Sequence, residues 1–350
     1  MLLIAADTVT HFLPLYLAQI LRWMFVDGSA IHADVYVPNR PASGAHTAAL
    51  PVAIGIHGGA FTLGHSGMVS GDQIADCLAR GWLVVSIDHR LCPQVDMLAG
   101  PIADARAALA WVRSTSPDSS LDAELRAHGH EGVCVDREAV VAFGTSSGGT
   151  LALALGWGGP EEGPGVKAVL DLYGATAFAD PFWSTPLPFI PVPEGATEEF
   201  INRVYDEVPV PTQGGVSLEG QGQQGGDAAD EAQRERDRVR HAFAFTHIAR
   251  GTLLDVAFPS KKWEQIDATL NITPSFPPTC IIHGTEDKMV PGYLSRKLFA
   301  ELQRHGVKSE FIDVPGEGHT FVGKMVKGSR TWELQRRGFD FLEEVIGTRR

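Results

Sequence analysis

Cysteine is scarce in this chain: four in 350 residues, Cys77, Cys92, Cys134 and Cys280. None has a neighbour at metal-ligand spacing, and three lie in or beside apolar, strand-like runs. That pattern predicts buried free thiols in a reducing, cytoplasmic compartment and no disulfide framework. Positive charge is short as well. Against 42 Asp and Glu there are 29 Lys and Arg, a formal net charge of −13 with a pI near 5.4. Such a balance excludes the clustered basic surface that nucleic acid or an anionic membrane requires. Residues 1–26 are apolar but broken by Asp7, His11, Pro14 and Arg22, with no basic leader and no clean small-residue cleavage site. A signal peptide and a transmembrane helix are thereby disfavoured. The expectation for residues 1–27 is an amphipathic segment, part of a cap over a substrate entrance or resting on a membrane surface. No Gly-rich loop is followed by Lys-Ser or Lys-Thr, and no Gly-x-Gly-x-x-Gly follows a strand, so no cofactor and no metal are expected.

What remains is an ordinary globular composition, 44% hydrophobic and 20% charged, long enough for one large α/β domain with an insertion or for two domains. The continuous apolar run Pro51–Ile56 predicts a strand buried on both faces, Trp82–Ile87 is the next buried strand, and Val166–Leu172 and Thr279–Ile282 are further strands. Ala30–Val37 and Ser309–Val314 add two more. Helical patterns at Gly71–Arg80, Ile102–Val112, Leu121–Ala127, Tyr293–Arg304 and Trp332–Val345 alternate with them. Strands alternating with helices imply a mostly parallel, doubly wound sheet. The rhythm breaks between residues 177 and 275, which are expected to form a cap between core segments 28–176 and 276–350. Its first part, Asp180–Pro191, is aromatic and proline-rich. Residues 214–226 hold six glycines and suggest a mobile loop, and Asp227–Arg240 suggests a solvated helix face.

The stretch Val140–Leu151 carries the chemistry. A β-branched run stops at Gly144, Ser146 stands between Gly144 and Gly148, and small residues open a helix. In that strand–turn–helix context Gly-x-Ser-x-Gly presents the Ser146 hydroxyl at a strained apex, with the Ser147 amide free to stabilise an oxyanion. Upstream, His57-Gly58-Gly59-Ala60 follows a buried strand, and the amides of Gly58 and Gly59 are expected to complement that of Ser147. A serine hydroxyl is a poor nucleophile without a general base. His319, after the last strand, is the expected base. Asp287, in the acidic loop after Thr279–Ile282, is the expected orienting acid, with Glu286 as its rival. The order Ser146, Asp287, His319 is that of the nucleophile-elbow hydrolases. Phe61, Phe182 and Trp183 are expected to contact substrate. His57 and His283 are expected to brace loops, Asp88 and Asp104 to fix loop backbone, and His65, His89, His241 and His247 to lie at the surface or in the cap.

With these residues in place, the chain resembles the α/β-hydrolase superfamily over about residues 28–175 and 276–346. Within it the resemblance is to the esterase and lipase branch with a His-Gly-Gly oxyanion motif, which includes hormone-sensitive-lipase-like carboxylesterases. The matching positions are His57–Gly59, Asp88–Pro93, Gly144–Gly149, His283 to Asp287, and Gly318-His319. The pattern from His283 to Pro291 is also similar to dienelactone hydrolases and to the catalytic domains of prolyl oligopeptidases. Ala60 stands where the branch has a further glycine, Thr145 where it has an acid, and the long N-terminal cap helices are shortened. The resemblance implies a serine carboxylic-ester hydrolase with a small-molecule ester or lactone substrate. A lactonase, an amidase or peptidase, and an acyltransferase remain open on the same triad, as do a membrane-associated lipase and a non-catalytic ligand-binding protein on this scaffold.

Overall fold

The computed structural model describes residues 17–39, 48–158, 165–215, 231–321 and 327–347. In chain order the elements are β1 (Leu17–Val26), β2 (Ser29–Val37), β3 (Ala48–Ile56), α1 (Gly71–Ala79), β4 (Leu83–Ile87), α2 (Ala103–Arg113), α3 (Leu121–Ala127), β5 (Val133–Thr145), α4 (Ser147–Ala154) and β6 (Val169–Leu172). After an insertion with α5 (Glu198–Asn202), α6 (Glu231–Arg250) and α7 (Leu253–Ala257) come β7 (Thr279–Gly284), α8 (Gly292–Arg304), β8 (Ser309–Val314) and α9 (Arg330–Ile346). The strands form one sheet in the order β1-β2-β4-β3-β5-β6-β7-β8. Pairing is antiparallel at β1–β2 and β2–β4 and parallel from β4 through β3 to β8.

The apolar runs are continuous because both faces of the sheet are covered. Val52, Ile54 and Ile56 of β3 and Leu83, Val85 and Ile87 of β4 face α2, α3, α4 and α8. Ala53, Val84, Val141 and Phe143 face α1 and α9. Successive side chains of a strand point to opposite faces, so a sheet covered on both sides needs apolar residues at every position.

Three expectations change. Residues 17–26 form an edge strand of the sheet and not an amphipathic cap segment, because their backbone pairs along the whole of β2; residues 1–16 lie outside the described residues. The glycine-rich stretch is anchored at its start: Gly214 is buried and exchanges both backbone hydrogen bonds with Gly64, at 3.1 and 2.9 Å. Residues 216–226 lie outside the described residues. The charged helix runs ten residues past Arg240. Its first half is solvated as expected, while Val239, Ala242 and Phe243 pack on Ile201 and Val204 in a small core of the insertion. The four cysteines are free, three of them buried. Among the described residues, no helix is long and apolar enough to cross a membrane.

Candidate active site

β5 ends at Thr145 and α4 begins at Ser147, which leaves Ser146 alone in the turn with φ 52° and ψ −123°. A non-glycine residue there is strained and persists only where its surroundings fix it. The Ser146 amide donates to Leu172 at 2.9 Å, and the Ser146 carbonyl accepts from Gly149 at 2.9 Å. The flanking glycines are steric necessities. A Cβ on Gly148 would lie 2.2 Å from the Ile56 carbonyl oxygen, and one on Gly144 would lie 2.1 Å from that of Gly148.

The loops after β7 and β8 bring Asp287 and His319 to this apex. His319 Nε2 is 3.0 Å from Ser146 Oγ, and His319 Nδ1 is 2.7 Å from Asp287 Oδ2. Because the carboxylate accepts, Nδ1 carries the hydrogen and the Nε2 lone pair faces the serine hydroxyl. The other oxygen, Oδ1, accepts the amides of Met289 and Val290 at 2.9 Å each. Burial pushes the Asp287 carboxyl up, but the facing His319 and hydrogen bonds from His283 and His319 outweigh it and hold the group well below the usual carboxylate range. Glu286 is exposed and contributes only its backbone to the loop, so Asp287 is the acid of this cluster.

On the opposite wall, the His57 ring donates through Nδ1 to the Gly58 carbonyl at 2.7 Å and stacks on His89 with centroids 4.5 Å apart. His89 is fully buried here and not at the surface, because β4 delivers it beside the end of β3. Burial, then the facing His89, pushes His57 well below the ordinary imidazole range. Gly59 adopts φ 124°, and its carbonyl accepts the amides of Thr62 and Leu63 at 3.0 and 2.9 Å. This tight turn places Ala60 and Phe61 at φ 55° and 62° and turns them to the cleft. Of the expected oxyanion group, Ser147 lines the cleft, and on the loop side the residues lining it are Ala60 and Phe61, next in the chain to Gly58 and Gly59. Asp104 binds the Arg90 amide and guanidinium, and Asp88 binds the Ser66 amide, both fixing backbone as expected.

The cleft above Ser146 is a slot of about 590 Å³, part of it open to solvent. Phe61, Phe182, Trp183, Leu253 and Met289 form much of its wall, and among the described residues no ionisable side chain other than His319 lines it. Trp183 is held by its indole N–H on the Thr176 carbonyl at 3.0 Å. Among the described residues, no group of three or more His, Cys, Asp or Glu could hold a metal ion.

Two contributors escaped the sequence. Tyr173, after β6, sets its ring edge-on to His319 at 5.1 Å and to Phe321 at 4.7 Å. Nothing in a tyrosine at a strand end marks it. Arg240 of α6 is 2% exposed and donates to the carbonyls of Thr62 at 2.9 Å and Cys92 at 3.0 Å, to Gln94 Oε1 at 2.7 Å and to Glu207 Oε2 at 2.6 Å. It ties the insertion to the turn that carries Ala60.

Residues 33–185 match the family BD-FAE, and residues 257–349 match the prolyl oligopeptidase family. The gap between the two matches falls inside the insertion. The non-reducing polyketide synthase Preu6 of Preussia isomera is 32% identical over 93% of this chain and 15% of the synthase. The non-reducing polyketide synthase ausA of Penicillium brasilianum is 29% identical over 92% of this chain and 14% of the synthase. The chain thus spans about one seventh of the length of these curated relatives. Among solved structures, a truncated carbohydrate esterase from gut microbiota superposes with a TM-score of 0.55 at 20% identity, over 90% of both chains. The propionate-bound esterase Est2 of Thermogutta terrifontis gives 0.55 at 18% identity over 94% of both chains. At those identities the likeness is one of fold. With a sheet of this strand order, family matches on both sides of the insertion and solved structures of the same architecture, the chain has the α/β-hydrolase fold.

Proposed function

We propose that this chain is a serine carboxylic-ester hydrolase working through an acyl-enzyme. The reading rests on one observation: Ser146, His319 and Asp287 are joined at 3.0 and 2.7 Å at the base of an apolar cleft. Ser146 Oγ attacks the ester carbonyl while His319 Nε2 takes its proton, and Asp287 holds and stabilises the imidazolium. The amides of Ser147 and of the Gly59–Ala60 turn receive the oxyanion, helped by the N-terminal dipole of α4. His319 then protonates the leaving alcohol, and water repeats the sequence in reverse. Residues 177–275 act as the cap, with Phe61, Phe182 and Trp183 against the acyl group. Four free thiols support a cytoplasmic site of action.

The test is hydrolysis of p-nitrophenyl esters from acetyl to dodecanoyl by wild type and Ser146→Ala. The expected result is turnover by wild type and a loss of about 10³–10⁶-fold in the variant at unchanged melting temperature. Equal rates in the two proteins, or no ester turnover by wild type, would overturn it.

The relatives favour a second reading, in which the acyl donor is a polyketide-type acyl group held as an ester or thioester. Identity to the two synthases exceeds that to the two esterase structures, and the aromatic slot suits a flat acyl group. A benzoyl N-acetylcysteamine thioester run beside the p-nitrophenyl series decides it. A kcat/KM about tenfold or more above the aliphatic esters supports this reading, and a lower one removes it.

A further inference from the structure

A second histidine touches the acid of the triad. His283, at the end of β7, is 1% exposed, and its Nε2 lies 3.2 Å from Asp287 Oδ2, the same oxygen that receives His319. The same nitrogen lies 2.7 Å from the Val290 carbonyl. Both neighbours are acceptors, so Nε2 carries a hydrogen. On the other side of the ring, Nδ1 is 2.9 Å from Ser295 Oγ on α8, a hydroxyl that is fully buried. A Cβ on Gly292, the first residue of α8, would touch the ring at 3.3 Å, so the helix start is packed against it.

A carboxylate offers about four acceptor sites. On Asp287 these meet the amides of Met289 and Val290 at Oδ1 and the N–H of His319 at Oδ2; the N–H of His283, which donates to the Val290 carbonyl at 2.7 Å, also lies 3.2 Å from that Oδ2. We propose that His283 is a positioning residue of the catalytic site: by sharing its N–H between the Val290 carbonyl and Asp287 Oδ2 it fixes the carboxylate's rotation and takes up part of the charge that Asp287 presents to His319. Ser295 holds the His283 tautomer that keeps a hydrogen on Nε2. The proposal rests on the ester-hydrolase reading for its consequence in turnover, and on geometry alone for its consequence in the hydrogen-bond chain.

A carboxylate that gives part of its charge to a second donor makes the imidazole opposite it less basic. Removing that donor returns the charge to the His319 bond. The acid limb of the pH profile of kcat/KM, which reports loss of the free base, then moves to higher pH. The groups facing this pair from neighbouring elements are Asp287 from the β7 loop, Asp171 from β6, Tyr173 from the turn after it and Ser295 from α8. Asp287 is the acid that holds His319, at 2.7 Å, which lets the readout be assigned.

The experiment compares wild type, His283→Phe, His283→Gln and Ser295→Ala. Three readouts are taken: p-nitrophenyl acetate kinetics across pH, the pH profile of Ser146 inactivation by a fluorophosphonate, and the downfield proton resonance of His319 Nδ1–H. For His283→Phe the expectation is a fall in kcat of about 10- to 100-fold with KM little changed. Its acid limb should move up by about half a pH unit or more, and the His319 resonance should shift. His283→Gln, whose amide can still donate, should recover part of both effects. Ser295→Ala should shift the limb in the same direction and by less, and it decides the matter if His283→Phe does not fold. An unchanged limb and resonance in folded His283→Phe, or in Ser295→Ala where the former is unfolded, would overturn the proposal. If wild type reacts with the fluorophosphonate yet hydrolyses no ester, the substrate reading has failed, and the resonance and inactivation profiles still judge His283.

Discussion

A Cβ added to Gly148 would lie 2.2 Å from the carbonyl oxygen of Ile56 and 2.5 Å from that of His57. Both obstacles are backbone of β3 and the loop after it, which cannot swing aside as a side chain can. Gly148→Ala is therefore expected to cost about 3 kcal/mol or more and to abolish turnover, because the Ser146 apex must move. Gly132, with nothing within 4 Å of its would-be Cβ, is the control. Gly132→Ala should stay within about 0.5 kcal/mol of wild type in urea unfolding. Equal costs for the two substitutions would contradict the steric account.

Arg240 is expected to matter as much for stability as for rate. Arg240→Met leaves Glu207 buried without its cation and leaves the carbonyls of Thr62 and Cys92 unpaired. Breaking a buried pair from one side costs about 3–5 kcal/mol. Adding Glu207→Gln to Arg240→Met should recover part of that loss, since one stranded charge is gone. A double-mutant cycle read by denaturant unfolding checks it, and strictly additive losses would show that the pair is not coupled.

Among the described residues, the slot above Ser146 offers no cation to an acyl chain. A substrate carboxylate placed there would be desolvated without a partner. A monosuccinyl p-nitrophenyl ester is thus expected to react with a kcat/KM about 10²-fold or more below that of the butyryl ester. Comparable rates would mean that the acyl group lies outside this slot.

Asp171, fully buried behind α4, is pushed up to about 7 by burial, against smaller opposing effects of His283 and the Gly174 amide. In the unfolded chain an aspartate titrates near 4. Between those two values the native state keeps a proton that the unfolded state has released, so stability falls as pH rises. The contribution is fully present below about pH 4 and lost by about pH 7. From pH 5 to 8 wild type should lose on the order of 2 kcal/mol through this group. Asp88, also raised to about 7 by burial, adds a similar loss. Asp171→Asn should flatten part of that decline in calorimetric melts at the two pH values. A decline identical to wild type would show that Asp171 does not titrate in this range.

Elements with a clean local signature were legible from the sequence. Ser309–Val314 and Leu121–Ala127 match the expected bounds residue for residue, and the glycine pattern around Ser146 marks the turn because its causes are steric and local. β5 begins well before its apolar run: Val133, Cys134 and Val135 already pair with β3, and the charged Asp136, Arg137 and Glu138 then interrupt the hydrophobic pattern where the register shifts before pairing resumes at Val140. β1 stayed hidden because a register shift between Arg22 and Met24 breaks the alternation that marks a strand. Ser146, Asp287 and His319, which the structure brings together, were legible as an order of residues along the chain. The contacts of His283 with Asp287 and of Arg240 with Thr62 were not, for different reasons. His283 lies only four residues from Asp287, but loop geometry decides whether they touch. Arg240 meets Thr62 across 178 residues, a pairing no local window contains.

The insertion lies between β6 and β7 in the chain, on the segment that separates Ser146 from Asp287 and His319. Such a position invites modular exchange, in which the cap of another hydrolase is grafted to change what the slot admits. Arg240 sets a condition on that exchange. A chimera lacking it would inherit two buried carbonyls, on Thr62 and Cys92, that the native insertion satisfies through this guanidinium. Any transplanted cap must therefore bring its own donor to that point, or the graft will disturb the loop that shapes the floor of the cleft before it alters the roof.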